Sequence, residues 1–230
     1  MALFEELDYA QTDLGELILR RRATTRGVEV FEVKLDGQFL MSSLVNASEV
    51  ALADLALAEL DGTDLRVAVG GLGLGHTADA ALGNPNVASL VVLEYLPEVI
   101  AWHTKNLVPL ASRLVDNPRC TLVNANFFAW LQSSSDDRFH AILVDIDHSP
   151  DHLLVDTHGP FYDLQGLARL NDRLHRGGVF ALWSGGPPAD DFLQKLRSVF
   201  GRAEAHPVTF RNPLLDLEDT NTIYLARTIA

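Results

Sequence analysis

From Asp61 onward the chain alternates short β-branched or apolar runs with segments of helical period. A chain with that alternation is confined to a parallel sheet with helices on both faces. The runs LRVAVG (65–70), ASLVVLE (88–94), CTLVNA (120–125), HAILVD (140–145), GVFALW (178–183), AEAHPVTF (203–210) and NTIYLAR (221–227) give seven candidate strands. Helix-compatible stretches fall at 76–83, 96–108, 126–132, 163–175 and 189–200, with the short connections that compact units require. Pro187 and Pro188, with Asp190 and Asp191 just beyond, mark the start of the last helix and complement its dipole. The expected class is α/β with a seven-stranded, mostly parallel sheet.

The first 60 residues follow another pattern. ELILRRR, VEVFEVKL and QFLMSSL read as short antiparallel strands, and Asp36-Gly37 is a hairpin signal. Segment 47–60 has small and leucine side chains at helical spacing. Residues 1–60 are therefore expected to form a β appendage with a lead-in helix, and 61–230 the main domain. With 230 residues, 47% of them hydrophobic, the chain can bury a full core, and the single Cys120 excludes an internal disulfide framework.

The start MALFEELD lacks the basic and apolar regions of a signal peptide, and no run approaches the roughly 18 to 20 apolar residues that span a bilayer. A cytoplasmic protein with no membrane contact is expected. The formal net charge of −13 repels a phosphate backbone, and the basic run Arg20–Arg22 has no interleaved aromatic residue, so nucleic acid is not an expected partner. The same charge suits a cationic substrate such as a polyamine, although it also serves solubility.

The string VAVGGLGLGHTADAAL places Gly70, Gly71, Gly73 and Gly75 between a strand and a helix, where missing side chains let a nucleoside approach the backbone. Glu94 ends the next strand, 23 positions after Gly71, close to the offset of about 20 at which a carboxylate accepts from ribose hydroxyls. The spacing GxGxG, followed by His76 and Thr77, suits an adenosyl sulfonium better than the pyrophosphate of a dinucleotide. Asn126 stands where a side chain could accept from an adenine amino group; it is equally placed to cap a helix.

The segment DIDHSPDHLLVDTHGPFY gathers Asp145, Asp147, His148, Asp151, His152, Asp156, His158 and Tyr162 beyond the fourth strand, at the sheet end where ligands bind. Asp145 and His148 are the preferred catalytic pair, placed to position an amine or take its proton. Asp147 and Tyr162 are candidates for an acceptor pocket. The alternatives are that Asp145 caps the loop through backbone amides and that Tyr162 is a packing residue, as Trp130 and Trp183 are expected to be. No metal is expected, because GVFALWSGG offers no second pair of ligands after its strand. The histidines come with no GxSxG elbow for hydrolase chemistry.

QTDLGEL, LDG (Asp36, Gly37), the GGLGLG turn, Glu94, NPRCTLVNANF, FHAILVDIDHSP and GPFYDLQGLARLNDRLHRGGVFAL together carry a resemblance to a known family. Along nearly its whole length the chain resembles the spermidine synthase-like branch of the class I methyltransferase fold. The resemblance implies a Rossmann-like seven-stranded sheet with an appended β segment, a homodimer formed through the N-terminal region, and a donor held between the glycine turn and Glu94. That donor would be S-adenosylmethionine or its decarboxylated form.

Aminopropyltransferases of that family usually read GGGDGG, the aspartate holding the donor's amine; here Gly73 takes that position. Their fourth strand usually ends in DSTDP, which Asp145 matches at the first aspartate while His148 replaces the second. Asn126 stands where an aspartate is usual, and the YHE signature is absent from ASEVALADLAL. Because Gly73 removes the amine-holding carboxylate, methyl transfer to a small-molecule acceptor such as an amine is expected slightly ahead of aminopropyl transfer to a polyamine. A non-catalytic nucleoside-binding or scaffold protein is the remaining alternative.

Overall fold

A computed structural model of the protein describes residues 4–24, 27–212 and 217–228. Four antiparallel strands come first: β1 (Phe4–Thr12), β2 (Gly15–Ala23), β3 (Glu29–Leu35) and β4 (Gln38–Ser42), in the order β1-β2-β3-β4. The β3–β4 turn has positive φ at both Asp36 (49°) and Gly37 (76°), the twist that a two-residue hairpin requires. Strand β1 did not stand out in the sequence, because its residues FEELDYAQT are largely exposed and charged and its register shifts between Glu6 and Asp8. Charge and a bulge are how an edge strand avoids pairing with another chain.

Helix α1 (Ala47–Ala58) leads into the main layers: β5 (Leu65–Gly70), α2 (His76–Gly83), β6 (Val87–Glu94), α3 (Pro97–Thr104), α4 (Ala111–Val115), β7 (Cys120–Asn124), α5 (Phe127–Gln132) and β8 (Phe139–Val144). A 3-10 turn (Asp156–Phe161), α6 (Leu164–Asp172), β9 (Leu174–Gly185), α7 (Asp190–Phe200), β10 (Arg202–Asn212) and β11 (Leu217–Arg227) complete the described chain. The seven-stranded sheet has the order β10-β11-β9-β8-β5-β6-β7, with β5 to β9 parallel and β10 and β11 antiparallel. This is the α/β class expected. The last three strands run longer than their apolar runs, because the β10–β11 ribbon is half-buried and alternates, with Pro207 accommodated on its outer edge.

Two apolar clusters sandwich the sheet. One joins Leu52, Ala56, Val67, Val69 and Leu90 to Leu17, Leu19, Val33 and Leu35 of the N-terminal strands. The other gathers Phe127, Ile142, Phe161, Phe180, Leu196 and Tyr224 beneath α5, α6 and α7. The N-terminal sheet is thereby packed into the common core, and its face covers the C-terminal ends of β5 and β6. Trp183, expected in the core, is half-buried and lines a cavity there. Among the described residues, no helix is long and apolar enough to cross a membrane.

Candidate donor and acceptor site

Strand β5 is central, with β6 on one side and β8 on the other, so the chain leaving it at Gly70 enters the crevice where the strand order reverses. Gly71, with φ of +94°, turns so tightly against the β8 exit that an added Cβ would lie 2.2 Å from the Asp145 carbonyl oxygen. Only glycine fits such a position. Gly73, also at positive φ (+48°), faces the N-terminal sheet, where the Met41 thioether occupies the space a side chain would take, 2.6 Å from an ideal Cβ. Gly70 packs against the Phe127 ring, and Gly75 closes the turn as the residue before α2.

Three contacts hold this turn. Glu94, 9% exposed, accepts from the Leu72 N–H at Oε2 (3.0 Å) and from the Leu96 N–H at Oε1 (2.8 Å). Burial raises its pKa, and backbone N–H groups oppose the shift. His103, 1% exposed, donates from Nε2 to the Gly73 carbonyl at 2.9 Å, and burial lowers its pKa, so the neutral ring is the form that fits. Nothing in the sequence marked His103, since its partner lies on a different element.

Asp145 follows β8 directly; its N–H donates to the Gly70 carbonyl and its Oδ2 accepts from Thr77 Oγ1 at 2.8 Å. Burial pushes its carboxyl up to about 6. His148, half-buried, lies on the same cavity, its ring 4.9 Å from that of His152, and burial lowers its pKa. The side-chain partner of Asp145 is Thr77 rather than His148.

Asp147 and Tyr162 occupy supporting positions. The Asp147 carboxylate, 2% exposed, accepts from the Leu154 N–H (2.7 Å), His158 Nδ1 (2.8 Å) and the Tyr162 hydroxyl (2.8 Å). Three bonds fold the loop after β8 around one carboxylate. Tyr162 is 3% exposed and packs edge-on to Phe161 and Phe192, so it braces this loop instead of facing an acceptor. Asn126 Oδ1 accepts from the Ala129 N–H at 3.0 Å, capping α5, while the residue also reaches the cavity wall.

Two cavities result. The first, about 310 Å³, runs between Glu94, Asn126, Phe128 and His158 on one side and Leu14 and Val33 of the N-terminal sheet on the other. Phe128 and His158 stack with centroids 3.9 Å apart, and the Tyr95 hydroxyl donates to Asp13 at the rim. The second, about 270 Å³, is lined by Glu49, Thr77, Asp145, His148, Trp183 and Asp219 among others. The cavities meet at Leu40, Met41, Gly71, Gly73, Asp145 and Ile146, which line both. Neither has a lysine or arginine among its described lining residues. Among the described residues no three His, Cys, Asp or Glu side chains form a group that could hold a metal ion. No sequence signal marks Glu49; burial and the neighbouring Asp145 charge push it up to about 7.

No family model matches the chain. A polyamine aminopropyltransferase of Prochlorococcus marinus (strain MIT 9313) is 30% identical over 147 residues, covering 60% of this chain and 49% of that protein, so the chain spans about half the length of this relative. A spermidine synthase solved in complex with the transition-state analogue AdoDATO superposes with a TM-score of 0.77 at 19% identity, covering 96% of this chain and 73% of that one. The spermidine synthase of Thermotoga maritima gives 0.76 at 18% identity, covering 96% and 72%. A probable spermidine synthase of Corynebacterium glutamicum gives 0.68 at 14%, covering 97% and 79%. The fold is thus that of the spermidine synthase-like branch of class I methyltransferases. The expected precedence of methyl transfer is corrected: the similar proteins are aminopropyltransferases and spermidine synthases. One missing carboxylate at Gly73 does not by itself decide which group is transferred.

Proposed function

From the spermidine synthase fold that the chain shares, we propose that it transfers an aminopropyl group from decarboxylated S-adenosylmethionine to an amine of a small cationic acceptor. The observation that carries this reading is the charge of the joined cavities: carboxylates line both, and no lysine or arginine is among their described lining residues. Ordinary S-adenosylmethionine would bring its own carboxylate into this field without a cation to receive it, at the cost of an unpaired charge in a sheltered site. The decarboxylated donor carries only positive groups.

In this reading the adenosine lies in the first cavity, its ribose hydroxyls donating to the free lone pairs of Glu94, its ring beside Phe128 and its edge near Asn126. Gly70, Gly71, Gly73 and Gly75 let the sulfonium arm pass close to the backbone toward Asp145. The acceptor amine enters from the second cavity. Its nitrogen lone pair forms a bond to the methylene carbon next to sulfur, the carbon–sulfur bond breaks, and sulfur keeps that electron pair, leaving methylthioadenosine as a neutral thioether. Asp145 takes the proton from the nitrogen, and a carboxyl raised to about 6 is mostly ionised at neutral pH and still basic enough for that task. Holding both reactants at the junction supplies the orientation that raises the rate. His148 lines the acceptor side.

A homodimer belongs to the same reading, with the N-terminal sheet as its contact, where Phe4 and Phe39 are each 51% exposed and Tyr9 50%. So does a cytoplasmic setting.

Calorimetry with decarboxylated S-adenosylmethionine, S-adenosylmethionine and methylthioadenosine tests the reading, followed by mass-spectrometric detection of an aminopropylated product from 1,4-diaminobutane. The expected result is tighter binding of the decarboxylated donor and release of methylthioadenosine on turnover. Equal or tighter binding of S-adenosylmethionine would overturn it, as would binding of none of the three.

A further inference from the structure

The second cavity carries a carboxylate that the mechanism above leaves unused. Glu49 lies in the first turn of α1, directly after Ser48, which is 1% exposed. The Ser48 hydroxyl oxygen accepts from Trp183 Nε1 (2.9 Å) and from Asn221 Nδ2 (2.8 Å). Both partners are obligate donors, so the one hydroxyl proton is directed to Glu49 Oε2, 2.8 Å away. Strands β9 and β11 therefore fix Glu49 through a single side chain. On the facing side Thr77 Oγ1 donates to Asp145 Oδ2 at 2.8 Å and lies 3.5 Å from the Glu49 carbonyl oxygen. Two carboxyls are thus braced from independent elements on the wall of one cavity, Asp145 where it joins the first and Glu49 within it.

We propose that Glu49 is the specificity-determining residue for the acceptor, seating its ammonium group against Asp145 and rejecting uncharged nucleophiles. This rests on the aminopropyl-transfer reading. Burial raises both carboxyls, and the neighbouring Asp145 charge raises Glu49 further, so near neutral pH the pair retains part of a proton, chiefly on Glu49. An ammonium group placed beside them offsets the cost of ionising both, so its binding expels the retained fraction of a proton and leaves the pair ionised, ready to take the proton that the ammonium must lose before its nitrogen has the lone pair to attack. An alcohol gains nothing from this exchange. Among the described lining residues the other titratable groups are His76 from α2, Asp147 and His148 from the loop after β8, and Asp219 from β11. The carboxylate of Asp147 is already engaged by three donors, and burial lowers both histidines, which keeps their rings neutral.

The test is calorimetric titration of 1,4-diaminobutane into the full chain saturated with methylthioadenosine, at pH 7 in two buffers of different ionisation enthalpy. Wild type is expected to bind the diamine with partial release of a proton and to ignore 1-butanol. Glu49→Gln is expected to bind the diamine about 30-fold more weakly, without proton release, while its affinity for methylthioadenosine stays as in wild type. Ser48→Ala keeps the carboxylate but frees it, and is expected to weaken the diamine by about fivefold. Diamine binding by Glu49→Gln equal to wild type overturns the proposal, as does wild-type binding without proton release. Wild type that binds methylthioadenosine but no diamine overturns it too, whereas failure to bind methylthioadenosine overturns the functional reading itself.

Discussion

Replacing Glu94 by glutamine separates the two duties assigned to that carboxylate. Both of its oxygens accept from backbone N–H groups, Leu72 at 3.0 Å and Leu96 at 2.8 Å, in a site that is nearly closed to solvent. A glutamine can satisfy one of these donors with its oxygen, but it turns an NH2 toward the other. A buried N–H left unpaired costs about 1 to 3 kcal/mol, and the surviving bond loses the strength that the charge lent it. Against this stands the relief of carrying a buried carboxylate, whose cost is visible in the upward direction of its pKa. The net destabilisation is placed at about 2 kcal/mol, which for a chain of this size lowers the melting temperature by roughly 4 to 8 °C. Methylthioadenosine should bind about 10- to 100-fold more weakly, because a ribose hydroxyl loses a charged acceptor. Thermal unfolding and calorimetry on the same preparation read both quantities. A melting temperature and an affinity both matching wild type would refute the assignment of Glu94 as the brace of the turn and the ribose acceptor.

Gly71→Ala forces a Cβ to within 2.2 Å of the Asp145 carbonyl at a φ of +94°, so the turn must move away from the β8 exit; unfolding in urea should show a loss of about 3 kcal/mol or more, and methylthioadenosine binding should vanish. Asp147→Asn leaves at least one of the Leu154, His158 and Tyr162 donors unpaired; limited proteolysis should cut the loop after β8 and stability should fall by about 2 to 3 kcal/mol. The pH dependence has a definite sign: Glu49 and Asp145 have folded pKa values raised to about 7 and about 6, so the stability they contribute is complete below the unfolded carboxyl range and is lost as pH rises through those values. Urea midpoints at pH 5 and pH 8 should therefore show Glu49→Gln gaining on wild type at the higher pH.

The strands of the main sheet were legible because most of them are buried on both faces, and a near-continuous apolar run bounded by turns has few other uses. The charged edge strand β1 and the five-residue helix α4 carry no such signature. The glycine turn and Glu94 could be found because βα geometry ties both to strand ends in the sequence. Glu49 could not, since what gives it a role is Asp145 across the cavity and a serine whose partners lie 135 and 173 positions along the chain. Asp147 and Tyr162 were visible as polar residues beyond a strand, but only the fold reveals that they bond to each other. Of the two duties open to Asn126, the helix cap is made, and the residue also borders the first cavity.

The fit of Met41 against Gly73 also restricts how this chain can change. A side chain restored at residue 73 alone collides with the thioether; a smaller residue at 41 alone opens a hole where the two cavities join. Any route from this glycine turn to one bearing a carboxylate must pass through an ill-packed intermediate or change both positions together. One of those positions belongs to the N-terminal sheet, so the small sheet and the large one can diverge only in step.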